Sequence, residues 1–142
     1  MELEGTIRSL TLEGLMNLQT RVKEISELVA KANRCEAEVT FPGHDYPPTV
    51  NSSVCWELGK IAGKDILGEN KVIEMPPIMG GEDFAYYTQK VPGCFAFLGV
   101  SNPEINATYD VHHPMFKVDE EALPLGTAIH VNFALKSLES LR

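Results

Sequence analysis

Basic residues are scarce in this chain: 12 Lys and Arg stand against 20 Asp and Glu, a net charge of −8. Phosphate backbones are held by clustered cations, and no basic face or run is present here, so nucleic acid is excluded as a partner. No apolar stretch approaches the roughly 20 residues that span a bilayer, which excludes a membrane-spanning role. The opening "MELEGTIRSL" lacks the basic start and apolar centre of a signal peptide and reads instead as part of a strand. Cysteines number three, Cys35, Cys55 and Cys94, widely spaced and without a CxxC. Neither a disulfide framework nor a structural zinc knuckle is suggested, and reduced, mostly buried thiols are expected. There is no glycine-rich phosphate loop and no G-x-S-x-G, which excludes the serine-hydrolase elbow. Nothing in the sequence pairs Cys94 with a histidine, as a cysteine nucleophile requires. Internal repeats and low-complexity tracts are absent as well.

What is present is an ordinary globular composition, 44% apolar and 23% charged over 142 residues. A chain this long typically hides roughly 68–70% of its unfolded surface. Gly5–Ser9 is rich in β-formers and predicts a strand. Thr11 is placed to cap a helix with Glu13 in its first turn. Leu15, Leu18, Val22, Ile25, Val29 and Ala32 then fall at spacings of three and four, an apolar stripe along about six turns. "CEAEVTF" alternates with period two and predicts a second strand. Strand, helix, strand with an amphipathic helix implies a helix lying on a sheet, an α/β class. The connector "PGHDYPPTVN" carries three prolines and marks a domain boundary. Beyond it, Asn51 is a candidate cap for a helix with Val54, Leu58, Ile61 and Ala62 on one face. "KVIEM" predicts a short strand, and the nearly all-apolar "CFAFLGV" predicts one buried on both faces. A last helix runs from Asp119 toward Leu138, with Pro124 near its first turn and Leu125, Ile129 and Phe133 facing a core.

Two loops beside these strands could carry chemistry, since ligands gather at strand-end loops of open α/β sheets. In "MGGEDF", Gly80 and Gly81 allow a tight path and close approach, and Glu82 and Asp83 set two carboxylates at a loop-to-helix junction. They serve either an active-site wall, as general acid/base or support for a metal, or simply a helix cap with a favourable dipole. In "HHPMF", His112 and His113 precede Pro114, which biases His113 toward an extended backbone. Adjacent residues of an extended segment point to opposite sides, so at most one imidazole enters a given site while the other faces solvent or holds the loop. Imidazole is a common zinc ligand, but histidine more often makes ordinary hydrogen bonds. His130, on the last helix, and His44, in the connector, carry no stronger reading.

"EGTIRSL", "YPPTVN", "MGGEDFAYY", "VPGCFAFLGV" and "HHPMFKVDEEALPLGTAI" occur in that order. Together they resemble the carboxyl-terminal part of the amidohydrolase branch of the aminoacylase/carboxypeptidase-type metallopeptidases. That branch includes hippurate hydrolases, N-acetyl-amino-acid deacetylases and auxin–amino-acid conjugate hydrolases. The resemblance implies a catalytic α/β domain of zinc-peptidase type, interrupted by a smaller α/β dimerisation or lid domain. On that map residues 1–43 resemble the last strand-helix-strand of the lid, and residues 44–142 the final part of the catalytic domain. It implies a divalent metal pair (zinc or manganese), an N-acyl-amino-acid substrate and a homodimer formed through the lid. The family's H-x-P-x-F places a metal ligand on His112, with Glu82 and Asp83 lining the cleft. The remaining ligands and the catalytic glutamate of the family fall upstream of these motifs. A hydrolytic metal site needs several donors, a position for water and a base. The resemblance therefore implies a fragment that is inactive alone; the competing expectation is a non-catalytic module that pairs through the lid helix and a sheet edge.

Overall fold

A computed structural model describes residues 1–43 and 46–141. His44 lies outside the described residues. Cα proximity divides the chain into two compact units, Met1–Val50 with Met75–Val91, and Asn51–Glu74 with Pro92–Arg142.

The first unit is built on helix α1, Leu12–Ala32. Thr11 Oγ1 accepts a hydrogen bond from the Gly14 N–H at 3.1 Å, satisfying one of the orphan donors of the first turn. The helix ends in a Schellman motif: the Cys35 N–H bonds the Ala30 carbonyl at 2.9 Å and the Arg34 N–H the Lys31 carbonyl at 3.1 Å. Arg34 takes the left-handed position (φ 57°) that glycine usually fills. Of the apolar stripe only Leu15 is buried, at 8% exposure; Leu18, Val22, Ile25 and Val29 remain 37–57% exposed. The short helix α3, Phe84–Thr88, completes this unit.

The second unit pairs helix α2, Ser53–Leu67, with helix α4, Leu123–Ser140. Asn132 Nδ2 reaches the Ala62 carbonyl at 3.4 Å and Asp65 Oδ2 at 3.2 Å, and Lys136 Nζ lies 3.0 Å from Asp65 Oδ2. Small residues let apolar segments approach the two helices. A Cβ on Gly63 would lie 3.0 Å from Val72 Cγ2, and one on Gly126 would lie 3.0 Å from Leu98 Cδ2. Pro124 falls in the first turn of α4, where its missing N–H does least harm.

Four expectations are corrected here. The first concerns the sheet: the segments 5–9, 35–41, 71–75 and 94–100 form no strand among the described residues, where the one ladder contact is an isolated antiparallel bridge between Asn102 and Ala107. A strand exists only through a neighbour at roughly 4.8 Å that accepts and donates along its length. Segment 94–100 instead meets a side chain. Asn51 leaves the capping position to Ser52 and bonds both ways with Phe95, accepting from its N–H at 2.7 Å and donating to its carbonyl at 3.0 Å. That corrects the expected Asn51 cap. The core is also smaller than the length allows: the buried apolar side chains among the described residues are Leu15, Ala62, Ala85, Ala107 and Ala122. The chain exposes 11625 Å², where a compact monomer of its mass exposes roughly 7,300 Å². Apolar faces patterned for burial are therefore left uncovered. Finally, Cys35 is exposed, because it belongs to the cap of α1 and not to a core; Cys55 and Cys94 are half-buried.

Two outcomes test this arrangement. Replacing Asn51 with Ala removes its bonds to the Phe95 N–H and carbonyl and is expected to cost about 2 kcal/mol in urea denaturation; Asn51→Asp keeps the acceptor and should cost less. The second concerns pH. The Lys136 ammonium and then the Asn132 amide, bonded to its carboxylate, hold Asp65 below the ordinary carboxylate range. A lowered folded value stabilises above the unfolded pKa, about 3.9, and that contribution is lost as pH falls through the lower folded one. Bonded to Asp65, Lys136 is raised in turn; its contribution holds below about 10.4 and is lost as pH rises through the raised folded value. Asp65→Asn should flatten the acid limb of a stability–pH curve, and an unchanged limb would remove this pair from the account.

Candidate functional site

The second unit carries the two adjacent histidines on an excursion between residues 100 and 119. Its base is locked several times over. The Asp119 N–H donates to the Val100 carbonyl at 2.9 Å, and Asn102 and Ala107 exchange two backbone bonds of 2.9 Å each. Asp119 then uses both carboxylate oxygens. Oδ2 accepts from Asn102 Nδ2 at 2.8 Å, and Oδ1 accepts from the Glu121 N–H at 3.2 Å, capping the 3₁₀ turn that leads into α4. Charge-assisted bonds of this kind are stronger than neutral ones.

At the tip, two turns follow each other. The His113 N–H closes the first onto the Asp110 carbonyl at 3.1 Å, and the Phe116 N–H closes the second onto the His113 carbonyl at 2.9 Å, with Pro114 in the position that favours it. His112 occupies the third position of the first turn at φ 68°. An L-residue there is strained by about 1–3 kcal/mol, and such strain concentrates at functional positions. The expectation of an extended pair is thus corrected: the turn, not strand alternation, separates the two rings. His113 stacks on Tyr109, with centroids 4.3 Å apart and planes at 10°, and its Nδ1 accepts from the Met115 N–H at 3.0 Å. That bond leaves the proton of the neutral ring on Nε2. His113 holds the loop. The exposed His112 imidazole has no hydrogen-bond or ring partner among the described residues. Ile105, Phe116 and Val118 line an open hollow of about 600 Å³ rimmed by Lys117, Asp119, Glu120 and Glu121. His112 does not line it.

Glu82 and Asp83 belong to the other unit. Asp83 stands at the start of α3 as expected, but its side chain makes no capping bond, and the first turn is held by the Glu82 and Asp83 carbonyls. Glu82 is half-buried and Asp83 exposed. The glycine loop before them has two neighbours that the sequence did not single out. A Cβ on Gly81 would lie 3.4 Å from Tyr46 Cδ2 and 3.9 Å from Arg8 Nη1, and Arg8 Nη1 donates to the Met79 carbonyl at 2.7 Å. Tyr46 also meets Tyr86 at 5.8 Å between ring centroids. A side chain at position 81 would stand at ordinary contact distance from both groups, so the Arg8 guanidinium lies beside this carboxylate-bearing turn without requiring glycine there. An arginine within an otherwise β-forming run was the available signal. His130 is exposed on α4.

Among the described residues, no three of His, Cys, Asp and Glu come together as a metal-holding group. His112 by itself does not constitute a metal centre, and two compact units carry the carboxylates and the imidazole separately.

The sequence of residues 4–136 matches the peptidase family M20/M25/M40, and the chain belongs to that family. Similar proteins include the IAA-amino acid hydrolase ILR1-like 4 of Arabidopsis thaliana, 36% identical over 97% of this chain and 32% of its own length. The N-acetyldiaminopimelate deacetylase of Enterococcus faecalis is 38% identical over 97% of this chain and 35% of its own. The thermostable carboxypeptidase 1 of Saccharolobus solfataricus is 35% identical over 95% and 34%. The chain spans about a third of the length of the curated relatives it matches.

The strain at His112 is measurable. His112→Gly relieves the positive φ and should be more stable than His112→Ala by about 1 kcal/mol in urea denaturation. Equal stabilities would mean that the turn is not held in the left-handed conformation.

Proposed function

We propose that this chain is the carboxyl-terminal portion of a metal-dependent amidohydrolase that cleaves the amide bond between an acyl group and an amino acid, auxin conjugates included. In this reading residues 1–43 close the lid domain and residues 44–142 close the catalytic domain. His112 contributes one donor to a divalent metal pair, zinc or manganese, and Glu82 and Asp83 line the cleft. The observation that carries the proposal is the His112 ring, left without a partner among the described residues, in a strained turn whose base Asp119 and Asn102 lock. Such rigidity suits a ligand whose direction must be set before the ion arrives. The described residues alone bring no donor set together, so no hydrolytic step is assigned to them. The uncovered apolar faces and the extended segments without ladders fit the same reading. Their neighbours would come from the part of the relatives' length that this chain does not span.

A second reading, a non-catalytic module that pairs through the lid helix, is favoured by the exposed stripe Leu18–Val22–Ile25–Val29 on α1. It needs a homodimer of this chain at micromolar concentration in light scattering, whereas the hydrolase fragment needs the rest of the enzyme.

Metal content tests the proposal. After desalting, the 142-residue chain should retain no stoichiometric zinc or manganese. A protein extended to the relatives' length should retain it and hydrolyse N-acetyl- or indole-acetyl-amino acids. His112→Ala in that protein should lower kcat/KM by more than about a hundredfold, since even residues that only support metal ligands are worth 10–100-fold. Tight stoichiometric metal in the short chain, or full activity in the extended His112→Ala protein, would overturn the assignment.

A further inference from the structure

Two of the three cysteines are unused by any reading so far, and both belong to the place where residues 93–95 meet α2. Cys55 and Gly59 lie one turn apart on α2, hence on the same face. Residues 93–95 run along that face. Gly93 accepts from the Ser52 N–H at 2.9 Å, and Phe95 exchanges bonds of 2.7 and 3.0 Å with Asn51. Between them, Cys94 turns toward the helix. A Cβ on Gly59 would lie 3.3 Å from Cys94 Sγ and 4.0 Å from Cys94 Cβ. Contacts to residues 93–95 therefore occur at the turn before Cys55 and at the turn after it. Cys55 falls in the interval between, on the face that Cys94 meets. Gly59 leaves that face open: any side chain there would stand against the Cys94 thiol.

We propose that Cys55 and Cys94 form a dithiol that closes to a disulfide when the protein meets a peroxide. The Cys55 sulfur attacks one peroxide oxygen; the O–O bond breaks, water leaves, and Cys55 becomes a sulfenic acid. The Cys94 sulfur then attacks the Cys55 sulfur; the S–O bond breaks and a second water leaves. Two thiols lose two hydrogens and two electrons, and the peroxide is reduced to two waters. The order of attack follows from the surroundings of Cys94. Burial first, and then the nearby Cys55, push its thiol up, so less of it is thiolate. The closed bond would fasten the first turn of α2 to segment 94–100, which Asn51 already holds. Cys35 is exposed at the end of α1 in the other unit and takes no part.

The full chain, treated with hydrogen peroxide, alkylated and digested without reductant, should yield a Cys55–Cys94 linked peptide lighter by two hydrogens than the sum of its parts. That product should exceed all Cys35-containing disulfides by about tenfold or more, because geometry and not collision selects it. In Cys94→Ser the sulfenic acid has no resolving thiol, so a dione probe should label Cys55 far more than in the unaltered chain. Pairings distributed statistically over the three cysteines would overturn the proposal. So would Cys55 and Cys94 both remaining alkylatable after peroxide, or dione labelling of Cys55 that does not rise in Cys94→Ser.

Discussion

The Asp119 carboxylate is the interaction on which the histidine loop depends. One oxygen holds Asn102 and the other caps the turn that starts α4, so the carboxyl-terminal helix and the loop are fixed by a single side chain. The backbone of the same residue closes the loop onto Val100. Without that anchor, the residues between Val100 and Asp119 would be left to the Asn102–Ala107 bridge, short turns and one ring stack. With it, the tip holds His112 in a conformation that an L-residue resists, while its ring has no partner among the described residues. Burial contributes little here, since the buried apolar member of the loop is an alanine, Ala107. Polar bonds, not a hydrophobic core, place the imidazole.

The same economy of burial runs through the chain. Helix α1 presents a continuous apolar stripe and buries one residue of it. Segment 94–100, almost wholly apolar in sequence, is held by Asn51 at one point and reaches α4 where Gly126 admits Leu98. Apolar side chains along both remain exposed, Ile25 and Phe97 among them. An M20/M25/M40 member spanning a third of its relatives' length has a ready explanation for them under the proposed function, because sheets and lids bury faces that are far apart in sequence.

The adjacent histidines show how far residue types carry an argument about a site. Spacing and Pro114 were enough to argue that the two rings part company. They were not enough to say how, because the separation comes from a left-handed residue in a turn and not from strand alternation. The ring that holds the loop is identified by Tyr109 and the Met115 N–H, contacts that no motif encodes. An arginine in a β-forming run could be noticed, but its place beside Gly81 could not be read: that follows from a contact across some seventy residues of chain. The half-buried thiols of Cys55 and Cys94 belong with these, as residues whose relation depends on how segment 94–100 lies along α2.

The sequence by itself determined the helices. Thr11 caps α1, Pro124 sits in the first turn of α4, and the three-and-four spacing of apolar residues follows the long helices, because caps and periodicity act within a few residues of where they are written. It determined the order of the motifs that mark the family. Whether a β-forming segment becomes a strand was decided only in the tertiary structure, since a ladder needs a neighbour that local sequence cannot supply. So was the choice of Asn51 between capping α2 and holding Phe95, and the choice of which histidine stays unpartnered. In each case one polar group has two satisfactory partners, and the three-dimensional path of the chain selects between them.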